Sequence, residues 1–478
     1  MKGKQLSYIF FVCWSVTAFS QTALKQNLDR LLADSFYQSA TAGILVYDLT
    51  SGCELYGHNE HRLCRAASNM KLLTAATALH SLTEAYDFCT CLSYTGQIDN
   101  NGCLTGDLYL TGGFDPEFST ADLDSMMRML KNAGIRQCKG RVYADVSMAD
   151  IRQWGNGWAW DDDMEAFQPY LTPLPLNKGI VKLEVAPSSP THPPVIRPEE
   201  NHSFVRIENL AHTVEKTTEP SEKTLHFHRT CDENGNRIEV TGSISAKASP
   251  YKAEISLLNP TGCVLNAVID KLKEQFPESS VAEGGSMSAP ANAIPVGAIR
   301  HSLTEVVRQM NKESDNLNAE MLLLALAGQF GLPATTEKGI ECLKNFIRQA
   351  TGLDPENYRI VDGSGLSHAN CLTPELLVAV LKSVYETANF STFKSSLPQS
   401  GIDGTLKHRM KGTAAYQKIF AKTGTLTGIS NLSGYLEASN GHLLAFSIMV
   451  QNFTIKSKEV NARYIDKICE QIAIDVSK

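Results

Sequence analysis

Three short segments of this 478-residue chain carry residue types that could do chemistry together. In Ser68-Asn69-Met70-Lys71 a spacing of three puts a hydroxyl and an amine on one face of a helix, so the Lys71 amine can reach the Ser68 hydroxyl. A neutral amine there could take the serine proton and activate the oxygen as a nucleophile. Free lysine is protonated near neutral pH, so the role requires desolvation or a nearby cation to lower the lysine pKa; a helix N-terminus acts in the same direction. Ser-x-x-Lys alone is weak, because Ser249-Pro250-Tyr251-Lys252 and Ser391-Thr392-Phe393-Lys394 share the spacing and read as solvated surface.

Ser314-Asp315-Asn316 is the second segment and the only Ser-x-Asn in the chain, placed just before an apolar run from Asn318 to Phe330. Alone it reads as a helix cap, since Ser, Asp and Asn all cap well. Lys422-Thr423-Gly424 is the third and also occurs once, directly after the strand-like Lys418-Ile419-Phe420-Ala421. Its side chains could line a sheet edge, and its glycine would let a substrate backbone come close. Each segment alone has a bland structural reading, but the ordered set on suitable elements favours function.

The elements that must position these groups fall into two kinds. Helical periodicity runs over Thr22 to Phe36, Ala66 to Leu82, Ser302 to Met310, Asn318 to Phe330, Glu337 to Ala350 and Val460 to Ile474. Ala42 to Asp48 and Cys53 to Gly57, joined by Thr50-Ser51-Gly52, read as a hairpin, and Lys418 to Lys422, Gly428 to Leu436 and His442 to Val450 read as strands. Between these groups, short alternating runs separated by Gly, Pro and Asn predict a mostly β region. The expected organisation is a catalytic unit of residues 21–85 and 295–478, split by an insert over 86–294 that forms two subdomains.

Composition narrows the function. Hydrophobic residues make up 43% of the chain and charged residues 20%, enough apolar surface for a folded core. Lys plus Arg number 44 against 51 Asp plus Glu, and this acidic balance argues against nucleic acid as a partner. Lys2 and Lys4 precede an apolar stretch from Leu6 to Phe19 that ends in Ala18-Phe19-Ser20, the pattern of a secretory signal over residues 1–20. The run is too short for a membrane span, so the expectation is an exported, soluble protein with no stable membrane anchor. Eleven cysteines follow Cys13, and their pairing is not legible from spacing. His226, His228 and Cys231 approach a metal-ligand spacing, but no second cluster completes a tetrahedral set, and no metal is expected.

The ordered set Ser-x-x-Lys, Ser-Asp-Asn, Lys-Thr-Gly is the signature of penicillin-binding proteins and serine β-lactamases. The chain resembles, within them, the low-molecular-mass D-alanyl-D-alanine carboxypeptidase/endopeptidases that carry a large insert in the catalytic domain. The likeness extends to Thr111-Gly112-Gly113-Phe114-Asp115-Pro116, Gly157-Trp158-Ala159-Trp160-Asp161-Asp162, Ser314 to Glu320, Asp362-Gly363-Ser364-Gly365-Leu366-Ser367, Gly401 to Leu406 and Lys422 to Gly428, which together span nearly the whole chain after residue 20. Phe114 stands where another glycine is usual. The 246 positions between Ser68 and Ser314 exceed what a compact β-lactamase needs. The Glu-x-x-Leu-Asn that positions deacylating water in class A β-lactamases is missing, with Glu375 followed by Leu-Leu-Val, so fast β-lactam hydrolysis is not expected.

The resemblance implies an α/β (α+β) fold of the DD-peptidase/β-lactamase type, an antiparallel sheet flanked by helices and interrupted by the insert. It implies Ser68 as nucleophile, Lys71 as its base, and Ser314 as proton relay to the departing amine. Asn316 would hold the substrate amide, and Lys422, Thr423, Gly424 and Thr425 would bind the terminal carboxylate and frame the oxyanion hole with the Ser68 N–H. Trp160 and Asp162 would read the amine-bearing side chain of a peptidoglycan peptide; equally, their cluster reads as an acidic loop pinned by buried tryptophans. Asp362 to Ser367 reads as a structural turn beside the site, and Asp403 and Thr405 as scaffold. The resemblance places the exported protein in the periplasm, where peptidoglycan peptides would be the substrate, β-lactams covalent inhibitors, and no cofactor is required. A β-lactamase or esterase on the same framework, or a muropeptide-binding protein without turnover, are the alternatives.

Overall fold

The computed structural model describes residues 22–477 except 201–202, 217–223 and 234. The secretory signal read at residues 1–20 lies outside the described residues. Five antiparallel strands form the central sheet: β1 (Thr41–Asp48), β2 (Cys53–His58), β3 (Ile419–Leu426), β4 (Ile429–Glu437) and β5 (Leu443–Gln451), in the order β2-β1-β5-β4-β3. Alternation along these strands sends side chains to two different cores. Ile44, Val46, Leu432, Leu436, Ile448 and Val450 pack on one face against Leu24 and Leu28 of the helix over 22–32 and Ile468 and Ile472 near the C-terminus.

Leu45, Tyr435, Ala445 and Met449 point the other way, into a core built by five helices: α1 (Met70–Ser81), α2 (Leu303–Glu313), α3 (Asn316–Gly328), α4 (Thr336–Phe346) and α5 (Pro374–Tyr385). Each fully buried Leu or Ile there contributes about 1.5–3 kcal/mol relative to exposure. Helix α3 is apolar on every side, since Leu317, Met321, Leu322, Leu323, Leu324 and Leu326 are all buried, which makes it the axle of this layer. Its polar exceptions, Asn316, Asn318 and Glu320, are also buried and all lie in the first two turns, next to the site.

Residues between α1 and α2 build separate sheets. A mixed sheet of seven strands joins Asp87–Tyr94, Gln97–Ile98, Cys103–Thr105, Leu108–Thr111, Gln137–Asp145, Ser280–Ser286 and Ile294–Ser302. The strand Ile294–Ser302, which straddles the expected boundary at 295, hydrogen-bonds along Asp87–Tyr94 and so belongs to this sheet. Two helices, Thr120–Asn132 and Pro260–Gln275, contribute to the same core, an addition to a region read from sequence as mostly β. Smaller sheets follow over Ile180–Ala186, Val195–Pro198 and Tyr251–Ser256, and over Val205–Asn209, His226–Asp232 and Gly235–Thr241. Phe114, where glycine is usual, adopts the left-handed conformation a glycine would supply (φ 63°) and is buried, so the turn survives the substitution.

Candidate active site

The Ser68 segment is held from three sides. Ala67–Asn69 form one 3-10 turn that runs directly into α1, and Ala67 is left-handed at φ 45°, a conformation that a residue with a Cβ keeps only when its surroundings impose it. On β4, Asn431 Nδ2 donates to the carbonyls of Arg65 and Ala66 at 2.9 Å each. The Asn69 amide donates to Ser433 Oγ at 2.6 Å, and Ser433 donates on to Ser447 of β5. Gly365 closes the third side: a Cβ there would stand 1.8 Å from the Ala67 carbonyl oxygen. The turn is thereby fixed with Ser68 partly open to solvent while Lys71 beneath it is completely buried.

Lys71 Nζ lies 3.0 Å from Ser68 Oγ, 2.5 Å from Asn316 Oδ1 and 2.7 Å from the Ser364 carbonyl. Asn316 Oδ1 and the Ser364 oxygen can only accept. A neutral amine has two N–H bonds and one lone pair, so its two hydrogens go to those acceptors and its lone pair is left facing the Ser68 hydroxyl. Burial pushes the Lys71 pKa down to about 8, against the opposing pull of Asp362, Glu320 and Asp315. The amine is therefore deprotonated at a pH where an exposed lysine is not.

The second serine is reached from the sheet. Ser314 terminates α2 in a left-handed conformation (φ 62°), Asp315 caps α3 by accepting from the Asn318 N–H, and Asn316 begins that helix. Lys422, completely buried on β3, donates to Ser314 Oγ at 2.8 Å and to the Thr423 carbonyl at 2.9 Å. Burial, and then the Lys71 charge, hold its pKa well below the usual lysine range. β3 is the edge strand of the sheet, and at Gly424 it passes so close to the Ser68 turn that a Cβ would meet Asn69 Oδ1 at 2.8 Å and the Ala66 carbonyl at 3.0 Å. Thr423 Oγ1 donates to Thr405 Oγ1 at 2.9 Å, and Thr425 is exposed beside them. Thr405 sits on a loop anchored by Asp403, which accepts from Lys312 at 2.7 Å.

Residues of the insert reach this cluster. Asn316 Nδ2 donates to the Phe167 carbonyl at 2.6 Å. Lys178 Nζ meets Glu117 at 2.7 Å, Asp315 at 3.2 Å and Asn318 Oδ1 at 2.5 Å, which staples the insert to the start of α3. Ser68, Lys71, Ser314, Asn316 and Lys422 are thus brought together, with Thr423, Gly424 and Thr425 on the adjoining strand edge. Trp160 and Asp162 stand apart: Trp160 is 84% exposed, and among the described residues neither side chain is hydrogen-bonded to the serines or lysines. Trp158 is the buried member of that loop, donating to Asp362 Oδ2 at 3.2 Å, while Asp163 is ion-paired to the buried Arg229. Sequence reasoning missed the Phe167 carbonyl, Lys178, Glu117 and the Ser364 carbonyl; the backbone groups leave no residue-type signal to find.

A serine whose hydroxyl faces a buried amine, with a second lysine and serine at a sheet edge, is an arrangement able to carry out acyl transfer through an activated serine. The profile of the D-Ala-D-Ala carboxypeptidase 3 (S13) family matches residues 24–472, and the chain belongs to that family. It is 29% identical over 443 residues to the D-alanyl-D-alanine carboxypeptidase of Actinomadura sp. (strain R39), covering 90% of this chain and 81% of the relative. It is 22% identical over 470 residues to D-alanyl-D-alanine carboxypeptidase DacB of Haemophilus influenzae, covering 94% and 92%. The crystal structure of penicillin binding protein 4 (dacB) from Haemophilus influenzae superposes with a TM-score of 0.79 at 21% identity, over 95% of this chain and 99% of that one, and shares the fold.

Proposed function

We propose that the D-Ala-D-Ala carboxypeptidase activity of this family is carried here by Ser68, Lys71, Ser314, Asn316 and Lys422 through an acyl-enzyme. Neutral Lys71 takes the Ser68 proton as Oγ attacks the carbonyl carbon of the penultimate D-Ala. A C–O bond forms, the peptide C–N bond breaks, and the departing amine receives a proton by way of Ser314, which Lys422 orients. Backbone N–H groups of Ser68 and Thr425 face the oxyanion, a device for which one donor is worth about 3 kcal/mol in other hydrolases. Thr423 and Thr425 hold the terminal carboxylate with Lys422 behind them. Water then cleaves the ester, so one water is consumed for each D-Ala released.

The observation that carries this reading is the Lys71 amine, fully buried, 3.0 Å from Ser68 Oγ and held by two further oxygens that can only accept, Asn316 Oδ1 and the Ser364 carbonyl. A β-lactam presents the same acyl bond, and Ser68 opens it to a covalent adduct. Trp160 and Asp162, on an exposed loop of the insert, read the diamino side chain of the peptide, which extends the reaction to D-Ala-diaminoacyl crosslinks. The catalytic unit is split around the insert, residues 1–20 direct export, and the enzyme works in the periplasm. No helix among the described residues is long and apolar enough to cross a membrane. Intact-mass analysis after incubation with penicillin, and separately with a D-Ala-D-Ala muropeptide, tests the reading. Wild type is expected to gain a penicilloyl adduct and to release D-Ala, and Ser68→Ala to do neither; an adduct that persists in Ser68→Ala overturns it.

A further inference from the structure

Behind Lys71 lies a pair of acids that the reaction scheme does not use. Glu320, on the second turn of α3, accepts from the Gly363 N–H at 3.1 and 3.2 Å and from the Ser364 N–H at 2.8 Å. Asp362 accepts from the Gly365 N–H at 2.7 Å, from the Ser367 N–H at 2.8 Å, and from Asn370 and Trp158. Both carboxyl groups are buried, 3% and 1% exposed, which is costly unless their hydrogen bonds are complete. Together they take three successive backbone N–H groups of one short turn.

The carbonyls of that turn face the other way. Gly363 O accepts from Thr74 at 2.7 Å, and Ser364 O accepts from Lys71 at 2.7 Å, both residues of α1. One peptide unit therefore carries Lys71 on its Ser364 oxygen and Asp362 on its Gly365 nitrogen; the preceding unit carries Thr74 and Glu320 in the same way. A carboxylate on the N–H end of a peptide polarises its carbonyl and strengthens the bond made at the oxygen. We propose that Glu320 and Asp362 are positioning residues: from behind the Gly363–Gly365 turn they hold the Ser364 carbonyl on Lys71, fixing the direction of its lone pair and the ease with which it loses its proton. The proposal rests on the assignment of Lys71 as base.

The charges acting on Lys71 come from Asp362 on the turn, Glu320 one turn into α3 and Asp315 at its start, while the Lys422 amine on β3 has its own pKa lowered by burial and then by Lys71. Glu320 in its turn is faced by Asp362, and burial followed by that neighbour pushes its pKa up to about 7. Both acids also line a cavity of 380 Å³, together with Asp150, Arg152, Thr336 and the exposed Glu337. The pair thus borders a space that Ser68 does not line.

The test is the pH profile of acylation by a chromogenic penicillin for wild type, Lys71→Met, Glu320→Gln and Glu320→Asp, with thermal melts to confirm folding. Wild type is expected to show an acid limb and Lys71→Met to acylate negligibly; a rapid Lys71→Met would overturn the base assignment itself. With that assignment intact, Glu320→Gln removes a charge that favours the ammonium, so the acid limb is expected to move down by about one pH unit. Glu320→Asp keeps the charge and loses the reach, so its limb stays in place while its plateau falls. A Glu320→Gln profile lowered equally at every pH, with the limb unmoved, overturns the proposal. Should Glu320→Gln not fold, Asp362→Asn decides by the same shift of the limb.

Discussion

Lys71 and Lys422 are both completely buried and repel one another, yet each holds a different serine: Lys71 faces Ser68 at 3.0 Å and Lys422 donates to Ser314 at 2.8 Å. Two ammonium ions so placed cannot both be stable, because neither is solvated and the opposing acids lie behind Lys71 only. The site therefore keeps one amine free to accept a proton. Burial and then the Lys71 charge hold the second lysine well below the usual lysine range, so it can orient the Ser314 hydroxyl without standing as a second ammonium beside Lys71.

That coupling gives a signed pH prediction. Acylation of Ser68 should rise with pH through about 8 as Lys71 loses its proton. Lys422→Gln keeps a donor for Ser314 and removes an amine whose own pKa Lys71 depresses, so the acid limb set by Lys71 should stay in place while the plateau falls, unlike the shift expected for Glu320→Gln. The pH–rate profile of penicillin acylation measures both. A limb moved to higher pH in Lys422→Gln would overturn this, since it would show Lys422 charged beside Lys71.

Gly424 has no room for a methyl group, with Asn69 Oδ1 2.8 Å and the Ala66 carbonyl 3.0 Å from where it would stand. Both obstacles belong to the braced turn that carries Ser68, so the edge strand has to yield. Gly424→Ala should slow acylation by about 10- to 100-fold, the scale of a 1 Å misplacement, with an overpacking cost of about 1–3 kcal/mol. Stopped-flow acylation and a thermal melt read the two effects separately.

Lys178 should matter although it touches no reacting atom. Its amine bridges Glu117 in the insert and Asp315 beside Ser314, and all three side chains are mostly shielded. Lys178→Met leaves two carboxylates facing each other and should cost about 3 kcal/mol of stability, the low end for breaking a shielded ion pair. It should also lower kcat, because Asn316 and Ser314 flank the released Asp315. Lys178→Arg should restore most of the melting temperature. Equal melting temperatures for Lys178→Met and wild type would remove the staple from the account.

The loop bearing Trp160 and Asp162 is pinned at its far end by Asp163, which pairs with the buried Arg229 while Tyr170 packs beneath the guanidinium. Arg229→Met should free the loop. The expected result is a KM raised by about tenfold, or about 1.4 kcal/mol, for a peptide bearing a free side-chain amine, with kcat little changed. Penicillin acylation should be untouched, since that ligand has no such amine. Steady-state kinetics on matched peptides with free and acetylated side chains decide it.

How much of this was legible beforehand depended on whether a contact is made by side chain or backbone. Ser68 with Lys71, and Lys422, were readable because fixed spacing on a helix or strand puts defined chemistry on one face. Ser314 was readable only from its place in the ordered set of motifs, and its left-handed conformation was not. Asn316 was readable as a site residue, but its two anchors, the Lys71 amine and the Phe167 carbonyl, were not both visible, since any residue at 167 offers the same oxygen. The Asp362 to Ser367 segment was read as a structural turn, and it is one; its grip on Lys71 needed the Ser364 carbonyl to be seen. The strands at both ends of the chain followed from alternation and turns. Their pairing did not, because periodicity says which face a residue takes and nothing about its neighbour in the sheet.

That pairing bears on how the protein comes into being. β1 is hydrogen-bonded along its whole length to β5, with Thr41 opposite Gln451, so the earlier-made strand waits about four hundred residues for its mate. Until then the early hairpin offers a bare apolar edge to any other chain nearby. The ribosome must pass β5 before the serine has a floor beneath it, and a nascent molecule is harmless to its substrate until that strand docks.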